Sequence, residues 1–367
     1  MLNHHFQKTS LSLLVTTLFL ASPQILNADQ TPRPTGYGIH NLVSNVPGKA
    51  LHDDPSLINA WGLAFNPDGV VWVTANGTGK STLYNGNGEK QGLEVAIPGP
   101  ANGEPAKPTG IVFFGGGRDF KINGNPSRFI CATEAGSIAG WAPVPLAPPP
   151  TIATEVVNNA ARHAIYKGLA LAADGERYLL YATDFHNAKV DVFDGTFQPV
   201  SLGAKAFKDS TIPPGFAPFG IQAINGVIFV TYAKQDGNQE DEVDGAGFGY
   251  VNAYDTGGHL LHRIAARGKL NAPWGLALAP DNFGKFSNHL LVGNFGDGTV
   301  VAYDLNKRPQ DPGKILGRTN GSPIRIPGLW GIAFGNGLQK QATNDLFFAA
   351  GPNHEANGLY GKIEAIP

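Results

Sequence analysis

Four oxygen-bearing side chains stand at matching places in this sequence. Asn76, Glu134, Asp184 and Asn294 each close or closely follow a short apolar run rich in β-branched and aromatic residues: Val70 to Thr74, Phe129 to Ala132, Tyr178 to Thr183 and His289 to Gly293. A hard cation is held by several carboxylate and amide oxygens converging from different chain segments, so this set reads as a candidate site for Ca2+ or another divalent cation. Asn and Asp at strand ends also start turns by bonding their own backbone, which is the competing reading for three of the four. Glu134 has no such turn role and is the most discriminating member.

A second set is aromatic. Trp61, Phe219, Trp274 and Trp330 each precede a glycine, and three of the chain's five tryptophans fall in that one place. They offer either a stacking platform for a sugar or other flat ligand, or wedges that pack one element on the next. His354, like His163 and His186, lies in a loop and is a candidate ligand contact or base. The insertion Gln235 to Gly245 carries five carboxylates. Its Asp236, Asn238 and Glu240 copy the start of an EF-hand loop, but Asp241 replaces the required glycine and Gly247 replaces the closing glutamate. It therefore reads as a solvated acidic loop. No Ser or Cys sits in a nucleophile elbow, which disfavours acyl-enzyme chemistry, and Gly115-Gly116-Gly117 lacks the Lys-Ser/Thr of a phosphate loop.

These residues are positioned by a repeat. The phrase Trp61-Gly62-Leu63-Ala64-Phe65 recurs around Gly110, Gly168, Gly220, Gly275 and Gly331, at intervals of 48 to 58 residues. Each copy continues through a turn such as Asn66-Pro67-Asp68-Gly69 into a β-branched, aromatic second strand. A third strand follows, ending on an aromatic and Asp or Asn, as in Tyr84-Asn85, Phe193-Asp194 and Tyr254-Asp255, and then a more polar fourth strand. Six such units predict an all-β, six-bladed β-propeller with four-stranded blades. The last unit has room for three strands, and Gly38 to Ser44 supplies the missing outer one, closing the ring without an unpaired edge. No amphipathic helix separates the strands, which excludes a parallel α/β barrel.

In that fold the starts of the inner strands and the ends of the second strands surround one mouth of the central channel. The aromatic set and the Asn/Glu/Asp set thus become two rings at the same mouth, with the acidic insertion above them.

Glycine (48) and proline (28) make up about a fifth of the 367 residues, and only 15% are charged, as suits many short strands joined by turns. A formal net charge of -2 and the lack of a Lys/Arg run argue against a nucleic-acid partner. At the N-terminus, His4, His5 and Lys8 precede an apolar run, Leu11 to Ala21, with small residues to Ala28. Residues 1–28 read as a signal peptide and 29–367 as one exported, periplasmic or extracellular domain with no membrane span. Cys131 is the only cysteine, so no internal disulfide forms.

The chain resembles NHL-type propellers, and more closely a family of exported bacterial propellers that has no assigned activity. The stretches carrying the likeness are Asn59 to Ala64, Thr231 to Asp236, and Leu270 to Pro280 followed by Leu291 to Gly298. A more distant likeness, through Tyr181 to Asp184 and Val190 to Asp194, is to gluconolactonase and senescence-marker-type propellers. That likeness implies a divalent cation in the channel, with Asp184 as ligand and base and Glu134, Asn76 and Asn294 completing the shell. Three functions stay open: a non-catalytic module binding a small molecule, glycan or protein, a metal-dependent lactonase or esterase, and pure structural packing in a surface assembly.

Overall fold

The computed structural model describes residues 36–100, 104–307 and 311–366. The leader expected at 1–28 lies outside the described residues. Six small sheets, antiparallel but for the short edge strand His52–Asp53, form six blades, and their inner strands, Ala60–Phe65, Pro108–Phe113, Tyr166–Asp174, Phe216–Ile224, Pro273–Leu278 and Leu329–Phe334, adjoin one another in that order, the sixth returning to the first. The protein is a six-bladed β-propeller.

The repeated glycine makes the ring possible. A Cβ on Gly62, Gly110, Gly168, Gly220, Gly275 or Gly331 would lie between 2.0 and 2.8 Å from backbone of the next inner strand. The missing side chain lets neighbouring strands approach at the crowded axis. A threonine in the second strand fastens the contact. Thr74 Oγ1 accepts from the Gly62 N–H (2.7 Å) and donates to the Thr109 carbonyl (2.7 Å), and Thr183 does the same for Gly168 and Phe219 at 2.8 and 2.6 Å.

Apolar side chains from facing sheets fill the wedges between blades. Trp72 of the first blade stacks on Phe129 of the second at 3.9 Å, with Trp141 beside both. The ring closes as the sequence implies. Gly36–Ser44 runs antiparallel to Leu359–Ile366, from the pair Gly36 and Ile366 to the pair Ser44 and Leu359, as the outer strand of the sixth blade. Tyr37 of that strand is buried and donates its hydroxyl to the Phe283 carbonyl in the fifth blade (2.9 Å).

Four-stranded blades are the rule, and the third blade is a local variation. Tyr166–Asp174, Arg177–Asp184 and Lys189–Phe193 form its sheet, and the outer position is taken by irregular chain that touches the sheet at the Phe193 and Pro199 bridge. Proline at 199, 213 and 214 withholds the donors that a fourth strand would need.

Candidate functional site

The inner strands start, and the second strands end, at what we term the upper mouth. Here the aromatic set closes the channel. Trp61 and Trp330 stack with centroids 3.5 Å apart, Trp274 meets both edge-on at 6.2 and 6.0 Å, and Phe219 and Phe295 pack on Trp330. Trp61, Trp330 and Phe219 are buried, whereas Trp274 is partly exposed. Their faces are spent on one another, as a packed plug requires.

Above the plug a hydrogen-bonded relay crosses five of the six blades. Trp330 Nε1 donates to Asn59 Oδ1 (3.0 Å), Asn59 Nδ2 to Asn76 Oδ1 (3.3 Å), and Asn76 Nδ2 to Glu134 Oε2 (3.0 Å). Lys167 Nζ then bridges Glu134 Oε1 (2.5 Å) and Asp241 Oδ1 (2.9 Å). The fifth blade joins through Trp274 Nε1, which donates to the Lys167 carbonyl (3.1 Å). The Lys167 side chain is 1% exposed, with its ammonium 5.4 Å from the Trp61 ring centroid.

Burial of an ammonium costs free energy unless it is paired. Burial alone would lower the Lys167 pKa, but the carboxylates of Glu134, Glu242 and Asp241 outweigh it and hold the group protonated. One ammonium serves several carboxylates. Burial pushes Glu242 up to about 8, against the opposing pull of Lys167 and with Glu355 and Asp241 adding to the rise. Glu355 is pushed up to about 7 by burial and then by the charge of Glu134. Asp244, on the same insertion, is raised by burial and by Asp297.

The acidic insertion lies across the mouth and is strapped down. Gln235 Nε2 donates to the carbonyls of Phe185 (2.7 Å) and His186 (3.3 Å), and Asn271 Oδ1 accepts from the Gly245 N–H (2.7 Å). Asp236 caps the turn by accepting from the Glu240 N–H, and Asp241 is 69% exposed although it meets Lys167.

Of the four expected metal ligands, the structure brings together Asn76 and Glu134. Asp184 is buried in its own corner, where it accepts from the Ile165 N–H (3.2 Å) and Asn187 Nδ2 (2.8 Å) and lies 3.5 Å from Lys189 Nζ. Burial raises its pKa. Asn294 is spent on the Lys269 carbonyl, Thr299 Oγ1 and the Asn271 N–H. Among the described residues no three His, Cys, Asp or Glu side chains are grouped to hold a metal. His354 is exposed on the loop between the last two strands of the sixth blade, near Asp244.

Sequence reasoning gave no role to Asn59, Lys167, Glu242 or Glu355. Lys167 carried a signal: it is the one cation among the six residues preceding the repeated glycines. Nothing in the loop around Glu355 marks it. The opposite mouth is different in character, an open funnel of about 480 Å³ walled by inner-strand residues such as Leu63, Ile111, Leu276 and Ile332.

No family model matches the chain. An uncharacterised protein of Acanthamoeba polyphaga mimivirus is 32% identical over 338 residues, covering 90% of this chain and 80% of that protein. A second uncharacterised protein of the same virus is 31% identical over 335 residues, covering 89% and 85%. The chain belongs to the family of these viral proteins. Among solved structures it is similar to virginiamycin B lyase from Staphylococcus aureus (TM-score 0.51, 16% identity, 90% of this chain and 99% of that one). It is also similar to the soluble aldose sugar dehydrogenase from Escherichia coli (TM-score 0.52, 14% identity, 90% and 99%). At these identities the likeness shows the propeller fold alone.

Proposed function

We propose that the protein is a non-catalytic binding propeller whose upper mouth receives a cationic group, an amine or guanidinium, carried by a small molecule or a protein partner. The observation that carries this reading is the single ammonium of Lys167 shared among Glu134, Asp241, Glu242 and Glu355. A second positive charge at the rim would meet carboxyls that are held partly protonated near neutral pH and that ionise when it arrives. The stacked Trp61 and Trp330 rings give that rim an aromatic floor, and Asp184 stands apart from it in its own turn, which supports a site built on Glu134, Asp241, Glu242 and Glu355.

Export to the periplasm or cell exterior is part of the proposal, on the strength of the Leu11 to Ala21 run, as is the NHL-type kinship. N-terminal sequencing of protein recovered from outside the cytoplasm tests the former.

Calorimetric titration with spermidine and an arginine-containing peptide tests the binding reading. Both bind, and the combined change Asp241→Asn with Glu355→Gln weakens them about tenfold. Absence of binding to either, together with turnover of a lactone, would overturn it. The metal-dependent hydrolase is the alternative reading; a cation there would compete with the Lys167 ammonium and the Asn76 amide N–H for the oxygens of Glu134.

A further inference from the structure

The third blade lacks a regular outer strand, and the chain that replaces it builds a cavity at the seam with the fourth blade. After the bridge at Pro199 this segment leaves its own sheet and leans on the neighbouring blade. The Phe207 N–H donates to the Gly258 carbonyl (2.8 Å), and the Phe207 carbonyl accepts from Tyr232 Oη (2.9 Å). The Phe207 ring is 3% exposed, between Tyr181 and Tyr254. Asp209 is fastened to the fourth blade by Arg263 and by Asn252 Nδ2 (3.1 Å). The segment is thus a fixed wall, and irregular segments of this length inside compact domains are commonly functional.

Between that wall and the start of the fourth inner strand lies a cavity of about 820 Å³, within the range of small-molecule sites. Phe207, Ile212, Pro213, Phe216 and Tyr232 give it an apolar lining. Lys205 and Lys208 stand exposed at its edge, and neither forms an ion pair among the described residues. The one carboxylate in the lining, Asp209, is neutralised by Arg263. An apolar hollow with two uncompensated positive charges is complementary to an organic anion with an apolar body.

We propose that this seam binds a small aromatic or aliphatic carboxylate, its body against the half-buried Ile212, Pro213 and Phe216 and its carboxylate toward Lys205 and Lys208. The site is separate from the acidic mouth and opposite in charge preference, so the two proposals stand or fall independently.

Calorimetric titration with 2-naphthoate, with neutral 2-naphthalenemethanol and with sulfate tests it. The expected result is one naphthoate per chain, bound at least about fivefold more tightly than the alcohol, with sulfate failing to bind. The exposed double variant Lys205→Ala/Lys208→Ala should reduce naphthoate affinity to that of the alcohol while leaving the alcohol unchanged. Unaltered naphthoate affinity in that variant, no naphthoate binding to the native chain, or sulfate binding as tightly as naphthoate would each overturn the proposal.

Discussion

Lys167 and Glu134 meet at 2.5 Å across the boundary between the third and second blades, with the lysine side chain 1% exposed. This pair ties the plug of aromatic rings below to the acidic insertion above. Its charge is what the surrounding carboxylates depend on.

Replacement of Lys167 by methionine should therefore destabilise the fold by about 3 kcal/mol or more at pH 8, since breaking a buried pair leaves its partner's charge uncompensated. Urea denaturation checks this. The loss should shrink toward pH 5, where Glu242 and Glu355 carry protons.

The native chain should itself lose stability as pH rises. Glu242 and Glu355 have folded-state pKa values of about 8 and about 7, above the ordinary 4.5 of glutamate. Between these limits the folded protein binds more protons than the unfolded chain, so ∂ΔG/∂pH is negative there. The contribution is fully present below about pH 4.5 and is lost as pH rises through 7 to 8. Glu242→Gln and Glu355→Gln should each flatten the dependence of the denaturation midpoint on pH; a profile unchanged by both would contradict the burial inferred for these carboxyls.

The scaffold was legible in the sequence because ring closure imposes a local demand on every blade. The repeated glycine, the β-branched second strand and the unpaired strand at Gly38 to Ser44 are each required by backbone proximity or by an exposed edge. The site was legible in part. Asn76 and Glu134 meet because both end second strands of adjacent blades. Asp184 and Asn294 end second strands too, yet their polar atoms are taken by their own turns at Asn187 and Thr299 and by backbone at Ile165, Lys269 and Asn271. Glu355 and Glu242 arrive from loops whose path is set by long-range contacts, to which no repeat or periodicity points.

Gly220→Ala tests the closeness of the ring. The new methyl would sit 2.0 Å from the Trp274 carbonyl oxygen, backbone that cannot turn aside. A loss of about 2–3 kcal/mol is expected. Gly92→Ala, in an outer strand with nothing within 4 Å, should be neutral or slightly stabilising in the same denaturation experiment.

Proton release on cation binding tests the central claim most directly. Spermidine is titrated calorimetrically at pH 7.5 in two buffers of different ionisation enthalpy, against the native chain and the Glu242→Gln/Glu355→Gln variant. A cation-receiving mouth gives a buffer-dependent heat corresponding to net release of protons, and that dependence disappears in the variant. Heats independent of buffer, or a release that persists without both carboxyls, would contradict it.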